Sequence, residues 1–449
     1  MTQSTNRRDF LKQSAAVGAT AWWFGTQSLA AQEKSPLERL NIACVGVGGK
    51  GNSDTNGLAK YGNVIGLCDV DETAAKKQGI RHKKAKQYSD YREMYDDIGD
   101  EIDVVSVSTP DHSHAPAALP AMRMGKHVYV QKPLTWSVEE ARVMREVAAK
   151  EGIVTQMGNQ GTADDGMRTS VEVLRSGAIG DVSEVHIWTN RPIWPQGTGR
   201  PKGSDPVPPN LHWDLFLGPA PERPYKNGVY TPFKWRGWLD FGTGALGDMA
   251  CHTANMPVMA LNLFDPTSVV AETAGIVENE TYPAWSIITF QFPEKDGRGP
   301  VKVVWYDGGK LPPKELLEGE SPSGSGCVVV GSKGKMYSRD DYGRTRIMLP
   351  KDEFADYKEP EKTLPRTNGH YEEFMMAAKA GDPKMTMSNF DYAGRLTETI
   401  LLGNVAMRAG QKIEWDAKNM KVTNMDDGGE SLIRRKYREG FDIAQYQEA

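Results

Sequence analysis

Cysteine is scarce in this chain, and there is no excess of positive charge. Four cysteines stand among 449 residues with no Cys-x-x-Cys spacing, which excludes a disulfide-stapled scaffold and a thiolate metal framework, and no metal site is expected. Cys44 and Cys68 fall in apolar runs and read as buried thiols, and Cys251 has no thiolate-stabilising neighbour in sequence. Formal net charge is −5, and residues 1–31 hold three basic and one acidic residue, so the remainder carries −7. That sign attracts neither nucleic acid nor an anionic membrane. Beyond the N-terminus no stretch is apolar for long enough to span a bilayer, so no stable membrane anchor is expected. Repeats and low-complexity tracts are also missing. With 25% charged and 39% hydrophobic residues the composition is that of a soluble globular protein, and the length calls for two domains.

What the chain does have is a glycine fingerprint. The apolar run 40–45 feeds Gly46, Val47, Gly48, Gly49, Lys50 and Gly51, which is G-x-G-x-x-G in register. A second apolar run, 63–68, ends on Asp69. Strand, glycines, helix and strand-end acid in this order predict a Rossmann dinucleotide site. The glycines give a tight turn and close backbone approach to a pyrophosphate, and the helix N-terminus offers free N–H groups. Asp69 would accept hydrogen bonds from the adenosine ribose. The segment 69–72 carries no arginine for a 2′-phosphate, so NAD is favoured over NADP.

In front of this domain, Arg7 and Arg8 precede Phe10, Leu11 and a weakly apolar stretch 15–29 that ends in Ser28, Leu29 and Ala30. Residues 1–31 read as a twin-arginine export signal, the alternative being an N-terminal amphipathic helix that stays on the protein. The reading places the mature protein in the periplasm or otherwise outside the inner membrane. That route carries folded proteins, so a nucleotide can be loaded before export. With no replenished nicotinamide pool outside, the cofactor must be kept and its redox state restored within each cycle.

Runs at 102–108, 126–130 and 153–157 predict further strands, with helices near 116–125 and over 138–151 between them. Alternating strands and helices imply a parallel sheet closing near residue 158, so the Rossmann domain is placed at 38–158. From residue 180 the strands grow longer and richer in Val, Ile, Thr and aromatics, at 182–189, 285–292, 301–306, 327–330 and 335–337. The fold class is therefore α/β: a doubly wound parallel sheet, then a substrate-binding α/β domain (159–449) with a large open, mostly antiparallel sheet. Residues 191–240 are dense in Pro, Gly and Trp and suit loops around a pocket. Helices are expected at 371–380 and 391–409.

A specific resemblance rests on Ser108-Thr109-Pro110-Asp111-His112-Ser113-His114 and on Gly125-Lys126-His127-Val128-Tyr129-Val130-Gln131-Lys132-Pro133. The chain resembles the Gfo/Idh/MocA oxidoreductases over residues 40–160, and more loosely over 242–252, where Asp248 and His252 match an Asp-x-x-x-His pattern. The resemblance implies NAD(P), a sugar or polyol substrate, and a homo-oligomer, dimer or tetramer. It also implies cofactor contacts from Thr109, Pro110, His114, Gln131, Lys132 and Gln160.

Lys132, at a strand end and aimed by Pro133, is the first catalytic candidate, able to bind a substrate hydroxyl and share its proton. The family has Glu where Gln131 stands; losing that charge beside Lys132 would lower the lysine's pKa and favour a base role. Asp248 and His252 share a helix face, His252 as a proton carrier near neutral pH and Asp248 binding a hydroxyl or orienting the imidazole. Asn255 replaces a family Asp. Substrate contacts are expected from Lys132, Asn159, Trp213, Asp248 and His252, with Trp194, Trp235 and Trp238 as an aromatic floor, although core packing explains many tryptophans. His112 and His114 could instead be exposed loop residues.

The expected function is an exported NAD(P)-dependent oxidoreductase acting on a sugar by hydride transfer at a ring carbon, with retained cofactor. Two alternatives remain. The same site could cleave glycosides by transient oxidation, elimination, water addition and re-reduction, or the chain could be a non-catalytic sugar-binding protein on an old fold.

Overall fold

The computed structural model describes residues 39–446, and the expected export signal lies outside them. The first apolar run forms β1 (Asn41–Val45), followed by β2 (Asn63–Cys68), β3 (Lys86–Tyr88), β4 (Val104–Val107), β5 (His127–Val130) and β6 (Thr155–Met157). They make a six-stranded sheet of order β3-β2-β1-β4-β5-β6, parallel throughout. Crossovers run outward in both directions from β1, which leaves a crevice at the carboxyl ends of β1 and β4. Helices cover both faces, so β4 is buried at every position and reads as a continuous apolar run. Strand β3 was not anticipated: it is a three-residue edge strand of Lys, Gln and Tyr with no apolar pattern.

The helix Val138–Glu151 begins where expected because Ser137 and Glu140 form a capping box, and it ends on Gly152 in the left-handed region (φ 63°). A second sheet of nine strands follows: β7 (Val182–Trp188), β8 (Ser268–Thr273), β9 (Ser286–Phe292), β10 (Val301–Tyr306), β11 (Gly326–Gly331), β12 (Gly334–Ser338), β13 (Ile347–Leu349), β14 (Ile413–Asp416) and β15 (Lys421–Val422). Its order is β13-β12-β11-β7-β10-β9-β8-β14-β15, antiparallel except where β7 meets β10. The helix Phe390–Ala409 is apolar on nearly every side and therefore buried, lying against Val138–Glu151, β8 and the helix Gly244–Thr253. It joins the two sheets into one core.

A buried ion pair clamps the helix His370–Ala380 to the helix Asp165–Arg175. Arg168 is fully buried, pairs with Glu373, and donates to the carbonyls of Thr162 (2.8 Å) and Pro365 (2.6 Å). Removing one partner strands a buried charge, so Glu373→Ala is expected to destabilise by about 3–5 kcal/mol, read as a lower denaturation midpoint.

Candidate active site

The loop after β1 needs glycine for steric reasons visible atom by atom. Gly46 has φ +75°, and a Cβ there would sit 2.7 Å from the Ser108 carbonyl carbon. A Cβ on Gly51 would fall 1.8 Å from the Gly46 oxygen. The loop thus presses on β4 and on its own helix, Gly49–Leu58, whose first turn carries no acidic residue to occupy its free N–H groups. Asp69, at the end of β2, takes N–H bonds from Val47 (2.8 Å), Gly48 (3.0 Å) and Asp71 (2.9 Å). Burial pushes its carboxyl up while those bonds pull it back.

A cavity of about 820 Å³ runs from this loop to the helix Gly244–Thr253. Of the residues expected to hold the cofactor, Gly46, Gly48, Gly49, Lys50, Asp69, Thr109, Pro110, Gln131, Lys132 and Gln160 line it. Thr109 Oγ1 and Gln160 Oε1 are buried there without a protein partner. Open helix N–H groups, a strand-end acid and unpartnered polar atoms fit a dinucleotide.

Val47, Gly51 and His114 do not line the cavity. Val47 offers only its N–H to Asp69 while its side chain is in the core, and Gly51 supplies the close packing. The His114 ring is buried between the carbonyls of Thr109 (2.9 Å) and Pro133 (2.8 Å), so it ties the two strand-end loops together instead of touching cofactor. His112 is likewise buried, between the carbonyls of Phe216 and Phe241, and is not an exposed loop residue.

The catalytic candidates meet, with one pairing the sequence did not disclose. Lys132 Nζ donates to Asp248 Oδ1 and to the Asp248 carbonyl, each at 2.8 Å, and Arg236 Nε donates to the same Oδ1 at 3.0 Å. Burial pushes the Asp248 carboxyl up, but the Lys132 and Arg236 cations outweigh it and hold it down at about 2. Asp248 therefore pairs with two cations rather than orienting His252. The negative charge missing at Gln131 is supplied to Lys132 from 116 residues away, so the lysine is not left unpaired as its neighbour suggested. Gln131 itself donates to Asp54 (2.9 Å), a fully buried carboxylate that also receives Ser108 (2.8 Å), Tyr371 (2.7 Å) and Lys50.

His252 lines the cavity, set edge-on to Tyr342 at 5.0 Å between ring centroids, and its Nδ1 has no partner. Burial, then the Lys132 cation, with Lys50 and Arg191 adding to it, pushes its imidazole down to about 3. The shift runs away from the near-neutral range that the sequence suggested for a proton carrier. Asn159 is buried against Ser388 and the Cys251 carbonyl, off the cavity. Asn255 bonds Thr162 and Tyr392 and serves the core.

Among the expected aromatics, Trp194 and Trp235 do line the cavity, joined by Phe233, with the Arg236 guanidinium 4.2 Å from the Trp235 ring centroid. Trp213 lies behind them, stacked on Phe216 at 5.0 Å and bonded to the Arg223 carbonyl, and Trp238 packs in the same apolar cluster. Both support the wall without forming its surface. Sequence reading passed over Asp111 and Arg236. Asp111 stood at a β4 strand end, where parallel sheets place ligands, and was legible on that ground; Arg236 lies in an irregular segment with no periodic signal.

A later segment folds over the Asp69 end. Residues 210–212 clip onto the β2 loop through Glu72 N–H to Asn210 O (2.9 Å), His212 N–H to Val70 O (2.9 Å) and Asn210 Nδ2 to Asp71 (2.7 Å). From the C-terminal segment, Phe441 also contributes to the cavity wall, close to Gly218.

A family model described as an oxidoreductase family with an NAD-binding Rossmann fold matches residues 40–159, and its C-terminal alpha/beta domain matches 181–443. Levoglucosan dehydrogenase of Pseudarthrobacter phenanthrenivorans is 27% identical over 41% of this chain and 39% of its own length. A glycosyl hydrolase family 109 protein of Shewanella pealeana is 29% identical over 30% of this chain and 35% of its own. Each match thus spans well under half of the relative. The WlbA dehydrogenase from Bordetella pertussis, solved with NADH and UDP-GlcNAcA, superposes with a TM-score of 0.59 at 14% identity, covering 84% of this chain and 99% of that one, which speaks for the fold. With both family models matched across the two sheets, the chain belongs to the Gfo/Idh/MocA family of oxidoreductases and carries that family's NAD-binding Rossmann domain.

Proposed function

We propose that the protein is an exported oxidoreductase that oxidises a sugar or sugar derivative at a ring carbon and keeps its NAD between turnovers. The observation that carries this reading is the single cavity joining the glycine loop to Lys132, Asp248 and an aromatic wall. Bound NAD⁺ supplies the hydride acceptor. Lys132 has three N–H donors and spends two on Asp248, so its third is free for a substrate hydroxyl oxygen. Asp248 Oδ2 receives no bond from the described residues and suits a second hydroxyl. Trp194 and Trp235 offer flat apolar faces for the sugar's C–H surface. The clip at 210–212 and Phe441 support retention, which export through a twin-arginine route would require. Homo-oligomer assembly through the open sheet is part of the same reading.

Glycoside cleavage by oxidation, elimination and re-reduction is the second reading. One observation favours it: the cavity holds another carboxyl, Asp111, apart from the Lys132–Asp248 pair, and elimination needs a second proton acceptor. Net turnover of a glycoside with no second sugar present would select it.

The test is to purify the protein after export through its own signal, denature it, and quantify released nucleotide. About one NAD per chain is expected. A protein that is empty and takes up no added NAD overturns both readings.

A further inference from the structure

We propose that Asp111 is the acid–base group of this site, taking the substrate's hydroxyl proton while the Lys132 ammonium steadies the developing oxyanion. The assignment rests on the oxidoreductase reading above. It starts from a contrast between two carboxyls that line one cavity. Asp248 is ion-paired: two cations bond its Oδ1. Asp111 is buried to 3% exposure, and among the described residues its only side-chain hydrogen bond comes from the Thr243 hydroxyl to Oδ2, at 2.6 Å. No cation among them bonds it. Its Oδ1 receives nothing from the described residues, and Asp111 forms part of the cavity wall. Two carboxyls in one site, one ion-paired and one held only by a hydroxyl, are thereby driven to opposite protonation behaviour.

The electrostatics agree with the geometry. Burial pushes the Asp111 carboxyl up to about 7, against the Thr243 bond and the Arg236 and Lys132 cations, with the Asp248 charge adding to the rise. The Cys251 thiol and the Tyr282 phenol also face it, both themselves pushed up by burial and so uncharged at neutral pH. A base poised near the working pH is the efficient one. The other candidates are less suited. His252 is held down at about 3 and Asp248 at about 2, and the third N–H of Lys132 is the donor that meets the developing oxyanion.

The step balances as follows. The substrate C–H bond breaks and its electron pair leaves with the hydrogen as hydride to the oxidised nicotinamide. The hydroxyl O–H bond breaks, its pair becomes the second bond of the new carbonyl, and the proton goes to Asp111 Oδ1. In the return half-reaction Asp111 gives that proton back.

The test uses the full chain with its NAD and the variant Asp111→Asn, an isosteric change that keeps a partner for Thr243. Infrared difference spectra between about pH 6 and pH 8 read the carbonyl stretch of a buried carboxylic acid directly. Wild type is expected to show one such band more than D111N, the buried Asp307, pushed up to about 6, contributing equally to both. Thermal melting gives a second readout without turnover. A group whose pKa is raised on folding, here from 3.8 to about 7, gives stability present at low pH and lost as pH rises through about 7. Wild-type Tm should therefore fall relative to D111N between about pH 5 and pH 8. Reduction of the bound nucleotide is followed with D-glucose, levoglucosan and myo-inositol as probes. D111N should lose about 10²–10⁴-fold in rate, together with the limb near pH 7, while releasing the same NAD per chain as wild type. A wild type with no carboxylic-acid band beyond those of D111N, or a D111N enzyme that keeps that limb, overturns the assignment. NAD absent, or unreduced by every probe, counts instead against the oxidoreductase reading, and the infrared result still decides Asp111.

Discussion

Replacing Lys132 with Met is expected to lower the rate of sugar oxidation by about 10²–10³-fold while NAD still copurifies at one per chain. The argument is geometric. The Lys132 ammonium shares Asp248 with Arg236, so the variant leaves that carboxylate paired with one cation and the fold intact. What disappears is the one N–H donor at the end of β5 that is not already committed to Asp248 and can meet an oxygen gaining charge in the transition state. Removing a single such donor typically costs two to three orders of magnitude. Pre-steady-state reduction of the bound nucleotide reads the step itself. Unchanged reduction in K132M with the same sugar would move the chemistry elsewhere in the cavity. Lys132→Arg should rescue poorly, because a planar guanidinium cannot place two donors on Asp248 Oδ1 and its carbonyl in the same way.

The Rossmann half was legible because its signals are local. Residues 40–51 specify strand, turn and helix start within one short stretch, and residues 137–152 announce both ends of a helix by capping box and glycine. The second sheet was legible where strands alternate or run apolar, as in β9 and β10. It was not legible at β8, where apolar and polar residues mix, nor at β13, β14 and β15, which have two to four residues each, too few to show a period. The site divides on the same line. Lys132, Asp248 and His252 stand in recognisable runs, but their electrostatics are set by tertiary pairings. Lys132 gets its carboxylate from residue 248, Gln131 its partner from residue 54, and Asp248 its second cation from an irregular segment. His114 carries the opposite lesson: a histidine in a signature loop proved to be a brace between two backbone carbonyls.

Cofactor retention has a structural handle of its own, and cutting it should turn a captive nucleotide into an exchangeable one. The double variant Leu211→Ala, Phe441→Ala is expected to speed NAD release by about 30–100-fold. Leu211 belongs to the clip over the β2 loop, where it forms a bridge with Asp71; Phe441 arrives from the C-terminal segment, and both line the cavity. Each truncation exposes apolar wall worth about 1–1.5 kcal/mol, and roughly 2–3 kcal/mol together corresponds to that change in rate. Leu211 and Phe441 offer no side-chain polar atom to the reacting groups, so single-turnover reduction of nucleotide still bound should be unchanged. The measurement is displacement of the protein's own NAD by labelled NAD, before and after export. If the wild type exchanges as fast as the variant, the clip does not hold the cofactor, and an exported enzyme would need another way to stay loaded. If only the variant exchanges, the two late segments explain how one Rossmann site can work where no nucleotide pool exists: the second half of the chain closes what the glycine loop opens.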